Sequence, residues 1–276
     1  MIEFPEAVTI ARQMKEVLVG KPISRVTIAD DHPRFMFLND DLSTYDARLP
    51  GRTITEIRAS GKWIFSALNS GDILLIGEMF GRILLVPPLE DLPRKAHGVV
   101  TFESGERLAV TVQAWGGFQV LTPKELAAHP YAGRQGSAPV AEALSLERFV
   151  HTLDHSGDWS RKPIKGFLVH EGNIAGIGNG MLQDILFRAK LSPKRKVPDI
   201  KSEERARLRQ AILETMQLAV EAHGRDTEKD LYGAPGGYIP LMDRRTVGTP
   251  CIECGTPIKK ISYLGGSCYI CPSCQT

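Results

Sequence analysis

Apolar residues recur on one broad face between Pro5 and Val19, namely Val8, Ile10, Ala11, Met14, Val17 and Leu18, and Gly20 with Pro22 closes the segment. That spacing predicts a helix over 5–19 with Pro5 at a first helical position. From about residue 22 to 121 the pattern shortens to alternating or wholly apolar runs at 23–29, 35–38, 53–59, 63–68, 73–76, 83–86, 99–102, 108–112 and 118–121. Turn signals such as Asn69-Ser-Gly-Asp72 and Ser104-Gly-Glu106 separate them, and many short strands without intervening helices predict an antiparallel sandwich or barrel. A linker follows at 132–144, densest in Gly, Ala, Ser and Pro. Helical periodicity then returns at 146–153 behind a Ser145 cap, at 181–189, and at 204–223 up to Gly224. The fold class is therefore α+β, divided as 1–131, 132–144, 145–242 and 243–276.

With 276 residues, 42% of them hydrophobic, the chain can bury a real core and supports two domains plus a small appendage. No run approaches the roughly 18 apolar residues of a membrane span, so no membrane partner is expected. A net charge of +2 excludes nothing. Its distribution is more telling: Arg161, Lys162, Lys165, Arg188, Lys190, Lys194, Arg195, Lys196, Arg244, Arg245, Lys259 and Lys260 recur across the C-terminal half. Charge runs usually form only a solvated face, so these cations carry weight only beside a second signal.

The second signal lies in the last thirty residues. Cys251-Ile-Glu-Cys254, sixteen intervening residues and Cys271-Pro-Ser-Cys274 give two Cys-x-x-Cys pairs, the arrangement in which four thiolates converge on one structural zinc ion. Two disulfides would require an oxidising compartment, and the opening residues show no apolar leader. A redox Cys-x-x-Cys wants a strand-to-helix context that these glycines and prolines do not supply. Reduced thiols arranged for metal set the expectation of a cytosolic protein. Cys268 is left as a packing residue or a free thiol. The metal would brace a basic, aromatic-bearing hairpin containing Lys259, Lys260, Tyr263 and Tyr269, which suggests nucleic acid.

Two further stretches bear on binding. Glu171-Gly-Asn-Ile-Ala-Gly-Ile-Gly-Asn-Gly180 precedes a helix and suggests backbone amides aimed outward at phosphate, although glycine-rich turns are commonly only turns. It is neither a Walker loop nor a dinucleotide fingerprint, because no Gly-Lys-Ser/Thr follows and no strand precedes. His151 and His155 stand four apart on a helix, a spacing that can bind metal, but no third ligand is fixed and surface histidines are the simpler reading.

Taken in order, Met1-Ile-Glu-Phe-Pro-Glu6, Lys62 in Ser-Gly-Lys-Trp, Met79-Phe-Gly81, Gly176-Ile-Gly-Asn179, Gly236-Gly-Tyr238 and the four-cysteine tail resemble the formamidopyrimidine-DNA glycosylase and endonuclease VIII family. The resemblance spans almost the whole chain. It implies an N-terminal helix with a β-sandwich, a helix-two-turn-helix domain around Asn179 and a zinc-finger β-hairpin, with double-stranded DNA held between the domains. It also implies base-excision repair by a monomer: a flipped nucleotide, attack of an amine on sugar C1′ and strand elimination from a Schiff base. Glu3 keeps the family's acid position, with Glu6 beside it. Their simpler reading is as carboxylates at a helix N-terminus.

The chain departs from the family pattern where the chemistry is centred. Ile2 stands where the family has the proline whose amine attacks, so the candidate amines are that of Met1, displaced by one residue, and Lys62. Gln113-Ala-Trp-Gly-Gly117 replaces an Arg-Arg-Phe wedge, leaving Trp115 as a candidate stacking residue or a core residue. Met79 matches a gap-filling methionine, or packs. Gly266 falls where the finger's arginine is expected, so Lys259 and Lys260 are left as the hairpin's cations. Lys165 and Asn179 are expected at the DNA backbone, and the loop 233–237, which follows the charge run 225–230, is expected as a lesion-side flap with Tyr238 at its end, or otherwise only a connector. The expected activity is that of a DNA glycosylase with AP-lyase activity. The alternative is a non-catalytic reader of damaged or distorted DNA that has lost the nucleophile; an RNA-binding zinc protein would require a preference for single strands that the glycine turn does not suggest.

Overall fold

The computed structural model describes residues 1–276 and separates into two units, one of residues 1–134 with 222–237 and the other of residues 135–221 with 238–276. Residues 222–237, assigned from sequence to the helical segment 145–242, thus group with the first unit.

The first unit opens with α1 (Phe4–Leu18), which begins one residue before Pro5 and buries Ala7, Ile10, Ala11, Met14 and Leu18. It continues through β1 (Ile23–Ile28), β2 (Met36–Phe37), α2 (Leu42–Arg48), β3 (Ile54–Ser60), β4 (Trp63–Leu68), β5 (Ile73–Gly77), β6 (Gly81–Val86), β7 (Gly98–Phe102), β8 (Arg107–Val112), β9 (Gly116–Leu121) and α3 (Pro123–Ala128). The strands form a four-stranded sheet in the order β1-β7-β8-β6 and a five-stranded sheet in the order β2-β9-β5-β4-β3. Inward-facing residues of both, such as Val26, Val100, Leu108 and Val110 against Ile57, Ile64, Leu74 and Phe118, share one core with Ile10, Met14 and Leu18 of α1. The structure is a sandwich, as alternation along antiparallel strands requires. One pairing is parallel: Met36 and Phe37 run alongside Gly116 and Gly117.

Two short helices carry cap signals that the strand-dominated pattern hides. Asp41 accepts the Thr44 N–H at the head of α2, and Thr122 with Glu125 closes a capping box on α3.

The second unit comprises α4 (Leu146–His155), α5 (Ile164–Leu168), α6 (Asn179–Ala189), α7 (Ser202–Glu221) and the hairpin β10 (Lys259–Tyr263) with β11 (Gly266–Ile270). Helix α6 is buried along most of its length, including Asp184, whose carboxylate accepts from Tyr238 Oη at 2.7 Å and from the amides of Leu241 and Met242. Phe187 of α6, Met242 and Ile258 form a small cluster around Cys251 and Cys271. The rings of His151 and His155 stack at 4.3 Å, and Asp154 pairs with Arg205 at 2.8 Å, so these groups are spent on each other and on α7.

Candidate functional site

The acidic head of α1 is built from a segment more than 200 residues away in sequence. Glu3 is 0% exposed and Glu6 is buried. Glu6 accepts the Glu3 N–H at 2.9 Å, a capping-box contact. Both carboxylates face Arg225, which is 5% exposed: Nη1 lies 3.2 Å from Glu3, while Nε and Nη2 each stand 3.0 Å from a Glu6 oxygen. The Arg225 N–H also donates to Glu6, and Nη2 donates to the Met1 carbonyl at 2.6 Å. Burial disfavours the Glu6 charge, but the Arg225 guanidinium outweighs it and leaves the carboxyl below its usual range. Gly224 permits the approach: its φ is +97°, and a Cβ there would stand 3.1 Å from Glu6.

The two candidate amines differ in their surroundings. The Met1 amine is paired with Glu228 at 2.6 Å. Lys62, 4% exposed, sits in the turn between β3 and β4 with Nζ 3.3 Å from both oxygens of Glu78. Ile2 offers no amine: its side chain, 2% exposed, belongs to the sandwich core, and its N–H donates to the Met79 carbonyl at 3.0 Å. Burial of the isoleucine side chain contributes to the core at the head of α1. Met79 is likewise a core residue, packed over Gly116. Trp115 is exposed, as a wedge requires, and its ring lies 5.7 Å from that of the half-exposed Phe80.

In the second unit one amide of the glycine turn is closed inward. Gly176, at φ +93°, donates its N–H to both oxygens of Glu171, at 3.1 and 3.2 Å, so this amide serves the turn and is not aimed at solvent. Gly178 caps α6, and Asn179 at the first helical position donates Nδ2 to Ser267 O at 3.0 Å. Lys165, 3% exposed, donates Nζ to Tyr263 O at 2.7 Å and to Cys268 Sγ at 3.4 Å. Cys268 is a packing residue. A Cβ on Gly266 would stand 3.2 Å from Lys165 Nζ and 3.3 Å from Asn179 Oδ1, so the missing side chain is what lets the hairpin close over both. Tyr238 is buried on Asp184, whereas Lys259 and Lys260 are exposed on β10.

The sulfurs of Cys251, Cys254, Cys271 and Cys274 lie within 4.8 Å of one another. Tetrahedral ligation with metal–sulfur bonds near 2.3 Å requires sulfurs about 3.8 Å apart, and Cys251–Cys274 at 3.9 Å and Cys254–Cys271 at 3.4 Å meet it closely. The four cysteines fit a metal ion.

Residues 1–113 match the profile of the formamidopyrimidine-DNA glycosylase N-terminal domain, and residues 136–230 that of the formamidopyrimidine-DNA glycosylase H2TH domain. The formamidopyrimidine-DNA glycosylase of Geobacillus kaustophilus is 30% identical over 287 positions, covering 100% of both chains. This chain belongs to the formamidopyrimidine-DNA glycosylase family. The Streptococcus pneumoniae enzyme of the same name is 28% identical, with 100% of this chain and 99% of that one covered. The crystal structure of the Thermus thermophilus MutM (Fpg) protein superposes with a TM-score of 0.82 at 27% identity, covering 99% of this chain and 98% of that one. The Lactococcus lactis Fpg in complex with DNA containing an abasic site gives 0.85 at 23% identity with 99% of each covered, a likeness of fold.

Within the family framework, sequence reasoning missed Arg225, Glu228 and Glu78. Arg225 and Glu228 read only as part of a charge run before a loop, because nothing local announces partners 219 and 227 positions away. Glu78 carried one signal, an acid inside a Gly-x-x-x-Gly turn.

Proposed function

We propose that this chain binds damaged or abasic duplex DNA and acts on it as a base-excision DNA glycosylase with AP-lyase activity. The observation that carries this reading is the head of α1, where Glu3 stands in the family's acid position, fully buried and paired with Arg225, in the same unit as Lys62. A carboxylate held there is suited to exchange protons with a sugar ring oxygen while an amine bonds to C1′. The four cysteines hold Zn²⁺ in a structural role, which requires reduced thiols and so a cytosolic setting. Lys259 and Lys260 contact phosphates, Asn179 and Lys165 order the hairpin that presents them, and Trp115 stacks where a base has left. Met79, Tyr238 and Glu6 support the site through packing and ion pairing.

The test is release of a damaged base from duplexes carrying an oxidised purine, a ring-opened purine or an oxidised pyrimidine. Glu3→Gln is expected to slow release by about 10²–10⁴-fold, the usual worth of a positioned proton-transfer group, at unchanged duplex affinity. Absence of both base release and abasic-strand cleavage on all of these would overturn the enzymatic reading. The burial of Ile2 and its amide bond to Met79 favour a second reading, a damaged-DNA reader without chemistry, for which tight binding of abasic duplex without any covalent adduct is the signature.

On the binding side, Lys260→Ala is expected to weaken all duplexes alike and to reduce the slope of log affinity against log salt by about one charge. Lys165→Ala, by contrast, is expected to loosen the hairpin, seen as faster amide exchange at Tyr263. An unchanged salt slope for Lys260→Ala would remove that side chain from the interface.

A further inference from the structure

One face of the first unit carries aromatic rings and cations side by side, and neither serves the core. Phe35, Phe80 and Trp115 are 56%, 39% and 39% exposed. Single apolar residues at a surface are ordinary, but a cluster of large rings left in water marks a binding surface. Backbone pairing holds the three together. Strand β2 runs parallel to β9 with Met36 beside Gly116, and the Gly116 N–H donates to the Phe35 carbonyl at 3.0 Å. Met36 is buried, so alternation turns Phe35 outward. The Phe80 N–H donates to the Trp115 carbonyl at 2.8 Å, and the two rings lie 5.7 Å apart, tilted by 37°.

The cations belong to a cleft of about 570 Å³ that adjoins the rings. Pro33, Arg82 and Gln113 line it, and each stands two positions from one of the aromatics: Pro33 from Phe35, Arg82 from Phe80 and Gln113 from Trp115. Cleft and rings are therefore contiguous. Arg82, Arg94 and Lys95 give the cleft three fixed cations against one acid, Asp31. His97, 5% exposed, also lines it; its Nδ1 accepts the Val112 N–H at 2.9 Å, which puts the ring proton on Nε2 as a further donor.

A positively charged cleft bordered by exposed aromatics suits single-stranded nucleic acid, whose phosphates follow the cations while its bases stack on the rings. The ring geometry disfavours the interior of an intact duplex as the occupant. A vacancy left by one nucleotide admits one ring at the stacking interval of about 3.4 Å. Phe80 and Trp115 are tied through their backbones and tilted, so the pair is too thick to enter as one wedge. Unpaired bases can meet both rings from the side.

We propose that Phe80 and Trp115, with Arg82, Arg94 and Lys95, form a site for unpaired deoxynucleotides, which gives the protein a preference for damage lying in or beside a single-stranded stretch. The inference rests on the DNA-binding reading above and names the form of DNA that this unit favours.

The experiment measures the affinity of the full-length protein for a fully paired abasic duplex, for oligothymidine, and for the same duplex opened beside the abasic position by a bubble of about eight nucleotides, within the usual site size of such clefts. The bubble is expected to raise affinity about tenfold over the paired duplex. Phe80→Ala is expected to abolish that gain while leaving the paired duplex within about twofold, one base stack being worth roughly a five- to hundredfold change. Arg94→Ala with Lys95→Ala is expected to lower the slope of log affinity against log salt on oligothymidine by about 1.4, the single-strand value for two phosphate contacts. Ultraviolet cross-linking of oligothymidine to the unmodified protein reports the site without any variant: attachment is expected on tryptic peptides 63–82 and 108–124, which carry Phe80 and Trp115. Equal affinity for paired and bubbled duplex, or cross-links confined to the C-terminal hairpin, would overturn the proposal and leave the DNA-binding reading standing. A tighter hold on oligouridine than on oligothymidine would assign the face to RNA, and self-association lost in Phe80→Ala would assign it to a second copy of the chain; either overturns the proposal. No binding of any DNA would overturn both readings.

Discussion

Arg225→Met is expected to destabilise the protein by about 3–5 kcal/mol, because it leaves two carboxylates buried without their cation. Glu3 and Glu6 both face the guanidinium at 3.0–3.2 Å, and none of the three side chains has appreciable access to water. Urea denaturation at pH 7 measures the loss, and Arg225→Met combined with Glu6→Gln is expected to recover part of it, since the double variant buries one unpaired charge fewer. A change below about 1 kcal/mol would mean that the network is solvated. The same variant should invert the acid response. In the parent protein Glu6 is held below its ordinary value of 4.5, so its contribution is present above that value and is lost as pH falls through the lower folded one. Without the guanidinium, burial is opposed only by the backbone amides at positions 3 and 225 and pushes the carboxyl up, so acidification from the raised value down to about 4.5 stabilises the variant. The gap between the two proteins therefore narrows as pH falls from about 7 towards about 4.

That network also shows where sequence reading stops. Helix α1 was legible because its amphipathic face and Pro5 are local signals, and the strands because alternation is a local consequence of the pleat. The cysteine pairs were legible because ligand spacing is itself a geometric constraint. Arg225 with Glu6 is not local in any sense: the guanidinium crosses 219 positions, and the charge run that contains it looks identical whether solvated or buried. Orientation was equally hidden. Lys165 and Tyr238 have the composition of a binding surface but turn inward to Tyr263 and Asp184, and the Gly176 amide bonds to Glu171 and not to solvent. In each case a polar atom found an internal partner, and burial without a partner would have been costly. Met79 was undecided between groove and core because an apolar chain serves either, and the room over Gly116 decides for the core.

Removing metal from the tail is expected to have the largest effect on any single element. A two-stranded hairpin is marginal in water by itself, and the apolar support of β10 and β11 is confined to the few residues around Phe187, Met242 and Ile258. Four-thiolate zinc sites contribute apparent binding free energies of about 10–16 kcal/mol, far more than such a cluster supplies. Chelation, or Cys271→Ser, should therefore unfold the hairpin. The contacts it makes with α5 and α6 would go with it: Lys165 Nζ on Tyr263 O, Asn179 Nδ2 on Ser267 O, and the Tyr269 N–H on Gln183 Oε1. Tryptic cleavage after Lys259 and Lys260, slow in the metal-loaded protein, should become fast, with release of one zinc per chain, while the melting of residues 1–134 is unchanged. Loss of the exposed lysines from an ordered β10 predicts a parallel loss of duplex affinity, because phosphate contacts depend on cations held in register. A hairpin that keeps its amide protection after chelation, in a protein that releases no metal, would show that packing alone holds the four sulfurs together.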